Sequence, residues 1–133
     1  MTSRVRLIAP TAILLAVGEP AVSQSPDGSF ANPFRFMQRD GEVIYRSVCQ
    51  GCHMPDGQGA IGAGAYPALA NNPRLAAAGY PVLHIVNGRK AMPPFARLFD
   101  DEQVAAVVNY VRTHFGNDYK DAVTAADVRA TRR

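Results

Sequence analysis

The sequence predicts a small, single-domain, all-α protein, and three observations support this fold class. The chain has 133 residues, which is within the usual size of one domain. It contains no pair of alternating polar and apolar runs long enough to pair as strands. Its clearest periodic segment, residues 101–115, repeats apolar side chains at helical spacing. We therefore expect one helical core.

The N-terminus, residues 1–23, has the features of a secretory signal peptide. Two arginines precede an apolar run at residues 7–17, and Ala21 and Ser23 supply the small residues expected before a cleavage site. The run is shorter than the roughly 20 apolar residues that a membrane-spanning helix needs. We expect cleavage after Ser23, export to the periplasm, and no membrane span in the mature chain.

The charge of the chain does not indicate a nucleic-acid partner. The formal net charge is only +3, and the basic residues are scattered. Two basic pairs, Arg89-Lys90 and Arg132-Arg133, are not interleaved with aromatic residues, as a base-stacking surface would be. We expect these pairs to be solvated or to line a docking surface.

A flexible lead-in at residues 24–38 is expected to precede the folded domain, at residues 39–117. The lead-in begins with Ser, Pro, Gly and Asp and has no apolar period. Residues 39–48 predict the first helix, because Asp40 and Glu42 place negative charge near its N-terminus.

The middle of the domain predicts a loop and two short helices. Residues 55–66 are rich in glycine, which regular structure disfavours. Residues 72–78 have a proline in the first turn, and residues 81–86 end at Asn87-Gly88, which is a helix-stop signal. Neither helix is long enough to be stable alone.

The last strong helix is predicted at residues 101–115. Asp100 and Gln103 form a capping-box pattern at its start, and a Gly-Asn pair ends it. A tail at residues 118–133 is expected to add one more turn capped by Thr124, and to lie on the surface or on a partner.

Both cysteines of the chain lie in one short motif, Cys49-x-x-Cys52-His53. This spacing is the attachment pattern of c-type haem. Two thiols three positions apart at a helix end reach two vinyl groups of one porphyrin and form thioethers, and the adjacent imidazole then binds the iron. The motif therefore predicts one covalently attached haem c, with His53 as an axial ligand.

Three other uses of these residues are weaker. A structural zinc site needs four ligands, and only His84 and His114 remain elsewhere in the chain. A thioredoxin-like dithiol requires flanking strands, which the sequence does not predict. A disulfide between Cys49 and Cys52 would close too short a loop to stabilise the fold much.

Met92 is the expected second axial ligand. Met1 would leave with the signal peptide, Met54 is tethered beside the motif, and Met37 lies in a polar segment before the first helix. The two prolines that follow Met92 hold the chain extended and rigid, which suits a ligand. The alternative is that Met92 fills a gap in the core, as most methionines do.

The two other histidines are not expected to bind the iron. His84 lies in an apolar segment and is expected at a helix surface with its ring hydrogen-bonded. His114 lies in the last turn of its helix and is expected to interact with the terminal carbonyl groups.

Residues 40–117 resemble the class I c-type cytochromes. Gly41 and Tyr45 are similar to the first helix of that family, where glycine lets the terminal helices cross closely around one haem, and Tyr110 is similar to the aromatic partner on the last helix. Pro67 resembles the family's proline whose carbonyl accepts a hydrogen bond from the ligand histidine. The resemblance implies the small cytochrome c fold, with helices wrapped around that haem.

A narrower resemblance is carried by residues 62–70 and 123–128, which are similar to cytochrome subunits accompanying periplasmic bacterial dehydrogenases. It implies a carrier of single electrons, not an enzyme, with a dehydrogenase as donor and an oxidase or another cytochrome as acceptor. Two alternatives remain open: a freely diffusing cytochrome that donates to a terminal oxidase, and a haem enzyme or gas sensor with an open iron position.

Overall fold

A computed structural model describes residues 36–62 and 64–132, so the predicted signal peptide and most of the lead-in lie outside the described residues. The described part is mainly helical. In chain order the elements are α1 (Gly41–Ile44), a π-helical turn (Tyr45–Cys49), α2 (Gln50–His53), β1 (Ala60–Ile61), β2 (Ala65–Tyr66), a 3-10 turn (Pro73–Ala76), α3 (Gly79–Asn87), α4 (Asp101–Thr113) and α5 (Ala125–Thr131). None of the helices in this part is long and apolar enough to cross a membrane.

The first helical segment, which we define as residues 41–53, extends further than the sequence predicts. Its start differs by two residues because Asp40 is the N-cap, with its side chain accepting a hydrogen bond from the Val43 amide at 2.9 Å. Its end differs more, since the helix continues through a π-helical turn into α2. The Cys49-x-x-Cys52-His53 motif is therefore itself helical.

The first helical segment crosses α4 at very short range. A Cβ atom built on Gly41 would lie 2.3 Å from the carbonyl oxygen of Ala106, so only glycine permits this approach. Close by, the ring of Tyr45 packs against those of Tyr110 and Phe115, with centroid distances of 5.6 and 4.9 Å. This crossing fixes the position of the cysteine motif, which forms the C-terminal end of the same helical segment, relative to α4.

Helix α4 forms the centre of the core. Its apolar face is buried as its periodicity predicts, and the buried valines are Val104, Val107, Val108 and Val111. The predicted capping box is confirmed, because Asp100 and Gln103 each bind the backbone amide of the other at 2.9 Å. The helix ends two residues early, at Thr113, and Phe115 and Gly116 then have positive φ angles of 60° and 80°.

The glycine-rich loop contains a small sheet that the sequence analysis does not predict. Strands β1 and β2 pair antiparallel, with Ala60 opposite Tyr66 and Ile61 opposite Ala65. Each strand has two residues, which is too short to produce a visible alternation of polar and apolar side chains. The sheet turns the chain back towards the cysteine motif.

The C-terminal tail folds more completely than the sequence predicts. Thr124 and Asp127 form a capping box, and the helix that they start, α5, packs against α3 and α4. Val123 and Val128 are both buried in the common core, with exposed fractions of 5% and 0%. Burial of these two side chains stabilises α5, although the composition of the tail does not predict a stable helix.

Candidate functional site

The cysteine motif lies at the end of the first helical segment. Cys52 is exposed, Cys49 is half-buried, and His53 is 9% exposed. Cys49 and Cys52 do not form a disulfide with each other. Residues three and four apart lie on one face of a helix, so Cys49, Cys52 and His53 project to the same side of the segment.

The structure brings His53 and Pro67 into direct contact. Nδ1 of His53 lies 2.9 Å from the carbonyl oxygen of Pro67. A carbonyl oxygen only accepts hydrogen bonds, so Nδ1 carries the ring proton and donates it. The lone pair of the neutral ring is then on Nε2, which is the nitrogen available to a metal. This is the contact that the resemblance implies, and the role of both residues in haem binding stays a prediction.

Glycines hold the Pro67 carbonyl against the motif. The amide of Gly59 donates to the carbonyl oxygen of His53 at 3.0 Å. A Cβ atom on Gly59 would lie 2.2 Å from the carbonyl oxygen of Tyr66 and 2.8 Å from the carbonyl carbon of Pro67, and Gly59 has a φ angle of 67°. Any larger residue at position 59 would push the chain there away from Tyr66 and Pro67, and would so move Pro67 away from His53.

Gly57 acts in the same loop. Its carbonyl oxygen accepts hydrogen bonds from the amides of Leu69 and Ala70, at 2.7 and 2.9 Å. It is buried, has a φ angle of 72°, and lies against the ring of Phe115. Gly57 and Gly59 therefore both permit close packing within this loop.

A buried tyrosine holds the chain on the other side of the histidine. The phenol of Tyr45 donates a hydrogen bond to the carbonyl oxygen of Met54 at 2.7 Å. Met54 follows His53 directly and has a positive φ angle of 65°, which is costly for a residue with a side chain. Burial raises the pKa of Tyr45 far above its ordinary value, so its hydroxyl remains a donor at every physiological pH.

Met92 lies on a separate element, a tight turn at residues 89–92 that we call the methionine turn. Arg89 and Met92 exchange two backbone hydrogen bonds of 2.9 Å, and Lys90 between them has a φ angle of 53°. A Cβ atom on Gly88 would lie 2.7 Å from the carbonyl oxygen of Met92, so glycine permits the close return of the chain. The half-buried Met92 packs against the core.

The segment that follows the methionine turn is anchored to α3. The amide of Phe95 donates to the carbonyl oxygen of Ile85 at 2.8 Å. Pro93 and Pro94 join this anchor to Met92, and their rings restrict the backbone between the two points. The backbone of Met92 is thus fixed on both sides, by the methionine turn before it and by the anchored Phe95 after it.

The rings of the two remaining histidines, His84 and His114, form hydrogen bonds with nearby groups, as predicted. Nδ1 of His84 lies 2.8 Å from the carbonyl oxygen of Tyr80, and its Nε2 lies 3.0 Å from the guanidinium of Arg89. Nδ1 of His114 lies 2.8 Å from the carbonyl oxygen of Tyr110, near the end of α4. Both rings have local partners that account for their positions.

The electrostatics of the motif disfavour the alternatives to haem. Burial, with a smaller contribution from Cys52, raises the pKa of the Cys49 thiol to about 12. A dithiol catalyst needs a thiolate near neutral pH, so this environment is unsuitable for a thioredoxin-like function. Among the described residues, no group of three or more His, Cys, Asp or Glu side chains is arranged to hold a metal ion.

Two buried polar residues that support the site were missed by the sequence analysis. The side-chain amide of Asn117 donates to the carbonyl oxygens of Leu69 and Val111, both at 2.8 Å, and so joins the loop after Pro67 to α4. Arg112 is fully buried, and its Nε donates to the carbonyl oxygen of Leu75 at 2.9 Å. The only signal in the sequence for Asn117 is its place in the helix stop, and Arg112 has none.

Comparison with known proteins identifies the family of this chain. Residues 37–111 match the family described as "Cytochrome C oxidase, cbb3-type, subunit III". The chain is 36% identical over 100 residues to cytochrome c-552 of Thermus thermophilus, an alignment that covers 62% of this chain and 73% of that protein.

Other relatives are much longer proteins. The chain is 31% identical over 103 residues to the fructose dehydrogenase cytochrome subunit of Gluconobacter japonicus, covering 66% of this chain and 21% of that subunit. It is 34% identical over 109 residues to the gluconate 2-dehydrogenase cytochrome c subunit of Pantoea cypripedii, covering 70% and 24% respectively. The chain thus spans about a quarter or less of the length of these subunits. The chain belongs to the cytochrome c family, whose members bind haem c covalently.

Proposed function

We propose that this protein carries single electrons in the periplasm through one haem c. Cys49 and Cys52 would form the two thioethers, and His53 and Met92 would be the axial ligands of the iron. The observation that carries the proposal is the 2.9 Å contact between Nδ1 of His53 and the carbonyl oxygen of Pro67. That contact fixes the ring and leaves Nε2 as the metal-binding nitrogen.

The donor set fits the chemistry of haem c. The two cysteines stand three positions apart in the first helical segment and are followed directly by an oriented imidazole. Haem c, when bound, supplies a one-electron iron couple whose potential depends on its axial ligands. The hydrogen bond from His53 to Pro67 raises the basicity of the imidazole, and the thioether of Met92 favours the reduced state.

The protein around the ligands is built to change little during electron transfer. The Met54 carbonyl is held by Tyr45, the Pro67 loop by Gly57 and Gly59, and the methionine turn by its own backbone pair. A rigid ligand set keeps the same coordination in both oxidation states. This favours a carrier over an enzyme or gas sensor, either of which needs an open iron position.

The donor that we propose is a periplasmic dehydrogenase, which would hold this protein as its cytochrome subunit or pass electrons to it. The names of the fructose and gluconate dehydrogenase cytochrome subunits support this proposal. An oxidase or another cytochrome would be the acceptor. Arg89, Lys90 and Arg97 are exposed around the methionine turn and would orient an acidic partner, so the rate of transfer should fall as salt increases.

An optical spectrum tests the ligand assignment. The exported protein should show a haem c spectrum, and carbon monoxide should not bind to the reduced form. Met92→Ala should open the iron, allow carbon monoxide to bind and lower the reduction potential. Met37→Ala is the matched control, because Met37 is 70% exposed, and it should leave the spectrum unchanged. A wild-type protein that binds carbon monoxide rapidly would contradict the proposal.

Purification from the periplasm tests the partner. A dehydrogenase subunit should copurify with a larger protein at low salt, and the purified pair should reduce the haem when the enzyme's substrate is added. A freely diffusing cytochrome would instead be recovered alone and would be oxidised directly by membranes that contain a terminal oxidase. Recovery of the protein only from the cytoplasm would contradict the predicted export.

A further inference from the structure

Residues 125–132 lie beyond residues 37–111, the part of the chain that matches the family, yet they contact the segment that follows Met92. The contact is made by Arg132, the residue after α5. Its Nη1 donates to the carbonyl oxygen of Ala96 at 2.6 Å, and its Nη2 donates to the carbonyl oxygen of Phe99 at 2.7 Å. One guanidinium thus holds two backbone carbonyls of the same turn.

A carboxylate fixes the third side of this guanidinium. Nε of Arg132 lies 2.5 Å from Oδ1 of Asp101, the first residue of α4. The two side chains are 22% and 17% exposed, so water screens their interaction only in part. Arginine suits this position because its planar group presents several donors in a fixed geometry.

The turn that Arg132 holds, residues 95–99, is connected to the methionine turn by a stiff segment. Within it, the amide of Phe99 donates to the carbonyl oxygen of Phe95 at 2.9 Å, and the two rings stack with centroids 5.4 Å apart. Phe95 is also the residue anchored to Ile85. Only the two prolines separate Phe95 from Met92, so a movement of this turn would displace the methionine.

We propose that Arg132 is a positioning residue for Met92, acting through the turn at residues 95–99. This inference rests on the proposal that Met92 is an axial ligand. Loss of the guanidinium would leave two carbonyl groups without their donor, and the turn would open more often. The sulfur of Met92 would then leave the iron more often, and an external ligand would bind in that interval.

The rate of cyanide binding to the oxidised holoprotein measures this opening. We expect Arg132→Ala to raise the rate about tenfold, which corresponds to about 1.4 kcal/mol. Arg129→Ala is the matched control. Arg129 is on the same helix and pairs with the same carboxylate, at 3.2 Å from Oδ2 of Asp101, but its guanidinium donates to no carbonyl of the turn. The control should stay within about twofold of wild type, as for an exposed ion pair.

A conservative variant and a second measurement separate positioning from general stability. Arg132→Lys keeps the charge but lacks the planar fork, so its cyanide rate should lie between those of wild type and Arg132→Ala. Hydrogen exchange at the amides of Phe95 and Phe99 should accelerate in Arg132→Ala and not in Arg129→Ala. If Arg132→Ala yields no folded holoprotein, Arg132→Lys is compared with Arg129→Lys instead.

The results distinguish failure of this inference from failure of the proposed function. If Arg132→Ala and Arg129→Ala lower the unfolding temperature equally and leave the cyanide rate at the wild-type value, Arg132 has only a structural role and the inference is wrong. In that case Met92→Ala should still bind cyanide much faster than wild type. If wild type binds cyanide as fast as Met92→Ala, Met92 is not a ligand, and the proposed function fails with the inference.

Discussion

The hydroxyl of Tyr45 lies 2.7 Å from the carbonyl oxygen of Met54, so one buried side chain joins the middle of the first helical segment to the residue after His53. Met54 has a positive φ angle of 65°, and its hydrogen bond to Tyr45 stabilises that conformation. The direction in which the chain leaves the cysteine motif therefore depends on a side chain outside the motif.

Removal of this hydroxyl should destabilise the protein without a change in packing. Tyr45→Phe keeps the ring but leaves the Met54 carbonyl with only the Gly57 amide, 3.1 Å away, as donor, which should lower the free energy of unfolding by about 1 kcal/mol. Tyr110→Phe is the matched control, because Tyr110 belongs to the same aromatic cluster and its hydroxyl has no hydrogen bond among the described residues. Guanidinium unfolding of both holoproteins measures the difference, and equal stability of the two variants would contradict the role of Tyr45.

The crossing of the first helical segment over α4 should not tolerate a methyl group. Gly41→Ala places a Cβ atom 2.3 Å from the backbone oxygen of Ala106, which cannot move aside like a side chain. The helices must separate, and we expect a loss of about 1–3 kcal/mol.

Gly79→Ala is the control for this substitution. Gly79 is also helical, in α3, and no described atom lies within 4 Å of a Cβ atom at that position. The variant should be neutral or more stable, by up to about 1 kcal/mol, because alanine favours the helix. Thermal unfolding compares the two, and a Gly41→Ala protein as stable as Gly79→Ala would show that the crossing is less close.

Substitution of Gly59 should change the reduction potential as well as the stability. In Gly59→Ala the new methyl group would meet the carbonyl oxygen of Tyr66 and displace Pro67. The hydrogen bond to His53 would lengthen, the imidazole would become less basic, and the oxidised iron would be less stabilised. We therefore expect a higher reduction potential, measured by redox titration of the haem spectrum.

Gly62→Ala provides the comparison in the same loop. No described atom lies within 4 Å of a Cβ atom on Gly62, and its φ angle is not in the left-handed region. Its potential should match that of wild type. A potential that rises equally in both variants would mean that the loop acts in some way other than through Pro67.

The ion pair of Asp121 with the buried Arg112 should make stability depend on pH. The hydrogen bond from Arg112, 2.6 Å long, lowers the pKa of the Asp121 carboxyl below its ordinary value of about 4. Because the folded pKa lies below the unfolded one, this stabilisation is present above about pH 4 and is lost as pH falls through the folded pKa.

Urea unfolding at a series of pH values tests this dependence. Asp121→Asn should be less stable than wild type at neutral pH, and the difference should shrink below about pH 4. Asp118→Asn removes a carboxylate from the same segment, but one that pairs with the exposed Lys120, so it should change stability little at neutral pH. A gap between wild type and Asp121→Asn that stays constant down to acid unfolding would contradict the assignment.

Local patterns in the chain were sufficient for several conclusions. The capping box of Asp100 and Gln103, the buried face of α4 and the surface positions of His84 and His114 are determined by neighbours within a few residues, so they can be predicted from spacing. The membership of the cytochrome c family follows in the same way from a contiguous motif, Cys49-x-x-Cys52-His53. Chemistry that depends on short spacing is visible in the order of the residues.

Features that depend on distant partners became visible only in three dimensions. Arg112 is separated by 37 residues from Leu75, whose carbonyl it binds, and Arg132 by 36 from Ala96. The helix α5 is stable because Val128 enters a core built by other elements. Such contacts leave no periodic trace in the chain, because their energy comes from burial and from satisfied polar groups that meet only after folding.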